Sequence, residues 1–96
     1  MAKFHATVPT AHASRYLQQL CKHWSHRFAV EFDATHGTVH MNGAVCIFDA
    51  TPGQLSLMLE GDAAALPRLC DVVAEHLKRF AFREAIELHW TEVVEA

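Results

Sequence analysis

The chain has 96 residues, 51% of them hydrophobic and 20% charged, which suits one globular domain with a single core and excludes a disordered or low-complexity chain. No apolar run nears the ~20 residues of a membrane span, and the net charge of −3 argues against nucleic-acid binding, which usually wants a strongly basic domain. The charge is unevenly placed: residues 1–30 hold Lys3, Arg15, Lys22 and Arg27 without a carboxylate, while the remainder sets 4 Lys and Arg against all 11 acids.

From Lys3 to Val8 the apolar residues Phe4, Ala6 and Val8 alternate with polar ones, the period of a half-buried strand. Pro9 stops it, and Thr10 is a candidate N-cap for a helix from Ala11 to about Ser25. Ala13, Leu17, Leu20 and Trp24 form the apolar stripe of that helix, with Cys21 at its edge. Residues 27–33 alternate again, with Phe28, Val30 and Phe32 inward, and residues 34–37 turn the chain into the next strand. Asn42-Gly43 predicts a two-residue type I′ hairpin. Its register puts Val39, Met41, Ala44, Cys46 and Phe48 on one face and Thr38, His40, Val45 and Ile47 on the other.

Residues 49–53 turn the chain into a further strand, with Leu55, Leu57 and Leu59 on the core face and Gln54, Ser56 and Met58 opposite. Asp62 is a candidate cap for a second helix running to about Phe82, with Leu66, Leu69, Cys70, Val73, Leu77 and Phe80 inward. Pro67 is tolerable only if the regular helix begins close to it. Ile86, Leu88 and Trp90 alternate with Glu87 and His89 as a closing strand. The expected fold is a single α+β domain over residues 1–96 in the order β-α-β-β-β-β-α-β. It is a two-layer sandwich, with both helices on one face of a mostly antiparallel sheet, brought there by right-handed crossovers.

Three cysteines, Cys21, Cys46 and Cys70, form no CxxC pair and read as buried free thiols. With no apolar h-region in the first residues, they point to a reducing, cytoplasmic compartment. Ser14 and Ser25 lack a GxSxG context, and there is no Gly-rich phosphate loop. No trio of titratable groups suggests catalysis, so an enzyme is the least favoured reading.

The sharpest constellation is on the first helix. His12, Arg15, Gln19, His23 and His26 recur at spacings of three or four residues and line one stripe, bordered by Lys22. Arginine offers a planar fork for carboxylate or phosphate, and histidine adds donors that strengthen as pH falls. The stripe is either a site for an anionic ligand or acidic partner, or the solvated face of an amphipathic helix. A metal is left open. His23 and His26 could share an ion, but a structural zinc site wants four ligands and a catalytic one three. On the other sheet face, Val45, Ile47 and Met58 form an apolar spot, read either as an ordinary open face or as a homodimer patch.

The segments His12-Ala13-Ser14-Arg15-Tyr16-Leu17 with His23-Trp24-Ser25-His26, and Arg79-Phe80-Ala81-Phe82-Arg83, resemble the bacterial family called domain of unknown function 2218. The resemblance covers essentially the whole chain, with Pro67 as a departure where a plain helix former is expected. It supplies no catalytic residues. It implies a link to iron acquisition, because such domains are met next to or fused to siderophore-interacting flavin reductases. Many ferric siderophore complexes are anionic, as is a flavin cofactor. The leading expectation is therefore a small module that assists cytosolic iron–siderophore handling through the basic helix face. The alternative is a protein-interaction or homodimerisation domain using the open sheet face. The cofactor is left unknown, and neither a nucleic acid nor a membrane is expected as partner.

Overall fold

The two periodicities resolve into eight elements: β1 (Ala2–Pro9), α1 (Ala13–Trp24), β2 (Ala29–Phe32), β3 (His36–Met41), β4 (Ala44–Thr51), β5 (Gln54–Gly61), α2 (Leu66–Phe80) and β6 (Thr91–Glu92). They are those of a computed structural model that describes residues 1–93. The strands form one six-stranded sheet in the order β2-β3-β4-β5-β1-β6, with every neighbouring pair antiparallel. Both helices cover one face. The architecture is the α+β two-layer arrangement, and the element order, read from the sequence.

Side chains alternate across a strand, so one parity of each strand meets the helices. Val8, Val39, Cys46, Phe48, Leu55, Leu57 and Leu59 come from the sheet and are essentially inaccessible. They pack against Leu17, Leu20, Cys21 and Trp24 of α1 and against Leu66, Val73 and Leu77 of α2. Fully burying a Val, Leu or Phe side chain stabilises by about 1.5–3 kcal/mol, so this layer carries the fold. α1 packs tightly over Gly37, where a Cβ would stand 2.7 Å from Cys21 Sγ. The gap over a glycine in β3 is what lets the helix settle there.

Several local expectations are corrected. The β3–β4 hairpin keeps the predicted register, with Met41 opposite Ala44, but its turn is not type I′. Gly43 has φ 85° while among the described residues no non-glycine has positive φ, so Asn42 does not take the left-handed conformation that I′ requires. The combination fits a type II turn, which needs positive φ only at its second central residue. Thr10 is not the N-cap of α1. The helix starts at Ala13, and the Thr10 hydroxyl accepts from the His12 amide at 3.0 Å while donating to Glu84.

Asp62 does not open α2 directly. Its carboxylate accepts from the Ala64 amide at 3.1 Å, and the regular helix starts at Leu66, one residue before Pro67. That start removes the conflict with the proline, since an early helical position has no N–H bond to lose. Phe32 is 38% exposed because β2 is an edge strand. Leu69 and Phe80 are only partly buried. The closing strand is displaced: Ile86, Leu88 and Trp90 stay partly buried against the core, but ladder pairing with β1 is confined to Thr91 and Glu92.

Candidate functional site

α1 is amphipathic, so burying Ala13, Tyr16, Leu17, Leu20 and Trp24 forces its other residues outward. The chain leaving α2 at Phe80 then runs alongside the first half of α1. Between them lies a cleft of about 500 Å³ lined by His12, Arg15, Tyr16, Gln19, Phe80, Phe82, Arg83 and Glu84.

The cleft floor is held by one carboxylate. Glu84 accepts from the Tyr16 hydroxyl and from the Thr10 hydroxyl, the latter at 3.0 and 3.1 Å to its two oxygens. The Tyr16 bond, with smaller help from Thr10 and the nearby His12, holds the Glu84 carboxyl below the usual carboxylate value. Burial, followed by the Glu84 bond, pushes the Tyr16 phenol above its ordinary value. Both shifts run away from neutrality, opposite to what a general acid or base at pH 7 needs. The pair therefore fastens α1 to the segment after α2 and builds a wall.

Around this wall the character is cationic and aromatic. Arg15, Arg83 and His12 are exposed. The Arg83 guanidinium carbon lies 5.4 Å from the centre of the Phe82 ring, which is itself 74% exposed. Such stacking leaves the guanidinium fork able to bind an anion. Gln19 contributes a buried Oε1 that has no hydrogen-bond partner. An unmade bond of this kind costs stability unless something supplies a donor.

The structure divides the six residues of the predicted stripe. His12, Arg15 and Gln19 share the cleft. His23 turns instead to α2, with its ring centre 5.2 Å from that of His76 and 5.8 Å from that of Phe80. Burial, and then the neighbouring charges of His76, His26, Arg79 and Arg27, lower the His23 pKa. Lys22 and His26 are exposed and line neither group, His26 lying beyond the last residue of α1. Among the described residues no three His, Cys, Asp or Glu side chains come together as a metal site. The three cysteines are free and buried, and burial pushes Cys21 and Cys70 up to about 11 and Cys46 well above its ordinary value. Thiols shifted upward in this way are disfavoured as thiolates, the nucleophilic form.

Periodicity missed the second wall. α2 ends at Phe80, short of the Phe82 expected from its periodicity, so Phe82, Arg83 and Glu84 lie in irregular chain past the helix, where no pattern assigns Arg83 and Glu84 a direction. Their signal was present only in the second segment of the family resemblance, which includes Phe80, Phe82 and Arg83. The two segments that carry the resemblance thus meet at one cleft.

Comparison with known proteins agrees with this architecture. A model of the family described as "Uncharacterized protein conserved in bacteria (DUF2218)" matches residues 5–91, and the chain belongs to that family. Among solved structures, the NMR structure of PA4090 from Pseudomonas aeruginosa is similar, with a TM-score of 0.80 and 35% sequence identity. The likeness covers 95% of this chain and 96% of that one. No curated protein matches. No helix among the described residues is long and apolar enough to cross a membrane.

Proposed function

We propose that this domain is a binding module for a small anionic molecule with a planar or apolar part, taken up in the cleft between α1 and the segment after α2. The observation that carries this reading is the convergence of Arg15, Arg83 and His12 on one cleft beside exposed Phe82. The two guanidinium groups face one carboxylate, and Glu84 already spends both oxygens on Thr10 and Tyr16. A ligand anion then meets free donors. The buried Gln19 acceptor adds a place for an N–H or O–H of the ligand. The family resemblance directs the reading further, towards an accessory role beside a siderophore-interacting flavin reductase. In that role a ferric siderophore or a flavin is the ligand.

Amide-detected NMR titration with FAD and with an anionic ferric siderophore tests the proposal. Binding should shift residues 12–19 and 80–84 together, and Arg15→Ala or Arg83→Ala should each weaken it by about ten- to a hundredfold, as expected for a charge-assisted hydrogen bond of ~1.5–3 kcal/mol. Silence of both segments at millimolar ligand would sink the small-molecule reading.

A second reading rests on the open face of the sheet. Ile47 and Met58 are cross-strand partners there, Val45 lies on the same face, and all three are only partly buried. A homodimer through this patch should dissociate in Val45→Glu, and sedimentation that finds monomers for both proteins ends that idea.

A further inference from the structure

We infer that His23 and His76 form a two-imidazole chelate for a divalent first-row transition-metal ion, bridging α1 and α2 beside the cleft, with which His23 shares the Phe80 ring. The sequence pairs His23 with His26 by spacing, but folding gives it a different partner, His76, on the neighbouring helix.

Three observations carry the assignment. The first is separation. Two rings bound through nitrogen to one tetrahedral ion hold their centres about 5 Å apart, given metal–nitrogen bonds of ~2.0–2.1 Å. The His23 and His76 centres are 5.2 Å apart, with their planes inclined by 44°.

The second is the tautomer of His76. Its Nδ1 lies 2.7 Å from the Val72 carbonyl oxygen, which can only accept. Nδ1 is therefore the donor, and in the neutral ring Nε2 keeps its lone pair. A backbone carbonyl on the far nitrogen is the usual way a protein orients a metal-binding imidazole.

The third is support and access. The His76 ring packs 5.2 Å from the Trp24 ring and the His23 ring 5.8 Å from Phe80, which restricts both side chains. His23 is nevertheless exposed and His76 only partly buried, so an ion can arrive from solvent.

Two protein ligands leave positions to be filled. Arg27 and Arg79 act electrostatically on His23 from α1's trailing end and from α2. They disfavour a bare dication and favour one whose remaining positions hold an anionic co-ligand. The Irving–Williams order ranks copper and nickel among the tightest ions for such a nitrogen pair, and zinc suits it by geometry.

Zinc chloride added to the whole chain, followed through the histidine ring ¹H–¹⁵N signals, tests the chelate. The His23 and His76 ring signals should shift together and saturate near one equivalent. His76→Gln and His23→Ala should each weaken binding at least tenfold, and His26→Ala should leave it within twofold. Zinc binding that survives His76→Gln overturns the assignment. So does an unshifted His76 ring at millimolar zinc in the unaltered protein, a measurement that needs no variant to fold. Neither arm depends on the anion cleft, whose ligands shift residues 12–19 and 80–84.

Discussion

The hydroxyl of Tyr16 donates to the carboxylate of Glu84 across 68 residues of chain, and this bond joins the first helix to the segment that follows the second. Its two ends titrate in opposite directions. Glu84 has a depressed pKa in the fold, so its contribution is present above the ordinary value of 4.5 and lost as pH falls through the folded value. Tyr16 has a raised pKa, so its contribution is complete below 10.0 and lost as pH rises through the folded value. Tyr16→Phe should therefore lower the melting temperature across the plateau between those limits and leave extreme pH little changed. Thermal melts of both proteins from pH 3 to pH 11 check this; parallel curves would contradict it.

Gly37 lies where α1 packs tightly on β3. An added methyl would stand 2.7 Å from Cys21 Sγ, 3.3 Å from Phe32 Cβ and 3.4 Å from Leu17 Cδ2. Gly37→Ala should cost about 1–3 kcal/mol, the range for overpacking a core. Cys21→Ala should recover part of that loss in the double variant, because it removes the sulfur in the way. Urea unfolding of the four proteins in the cycle measures the coupling.

The hairpin turn offers a test that separates its two residues. Gly43 holds φ 85°, so Gly43→Ala should cost about 1–2 kcal/mol. Asn42 has no positive φ, and Asn42→Ala should stay within about 0.5 kcal/mol. Equal losses for both substitutions, by chemical denaturation, would restore the type I′ turn.

His23 predicts an acid-side loss of stability. Its pKa is lowered by burial and by His76, His26, Arg79 and Arg27, so the unfolded chain binds the proton more readily. Stability should fall as pH drops below the ordinary histidine value of 6.5 towards the lowered one. His23→Gln should flatten that limb between pH 7 and pH 5 in thermal melts. An unchanged slope would mean that other groups are responsible.

The sheet and its core were legible in the residues because burial on one side imposes a period of two, and Leu55, Leu57, Leu59, Phe48 and Val39 obey it. The helices were legible for the same reason at their own period. Turn chemistry was less so: Asn42-Gly43 satisfies two turn types, and the strand pairing around it is the same in both. Half of the cleft between α1 and the segment after α2 was legible as the run His12, Arg15, Gln19. The other half depends on Arg83 and Glu84, which stand in irregular chain whose direction is set only by what it touches. The meeting of His23 with His76 depends on how α1 packs beside α2, a tertiary fact that no local spacing contains.

The position of β1 has a consequence for how the molecule is made. It lies between β5 and β6, pairing along its whole length with β5 from Ala2 opposite Gly61 to Pro9 opposite Gln54. β1 is made before the other strands of this sheet, and its backbone finds no partner there until Gln54, 45 residues after Pro9, has followed. Meanwhile the β2–β5 meander can close hairpin by hairpin through short turns. Assembly should thus run from the middle of the chain outward, with insertion of the amino-terminal strand as the slow, late event set by a long loop closure.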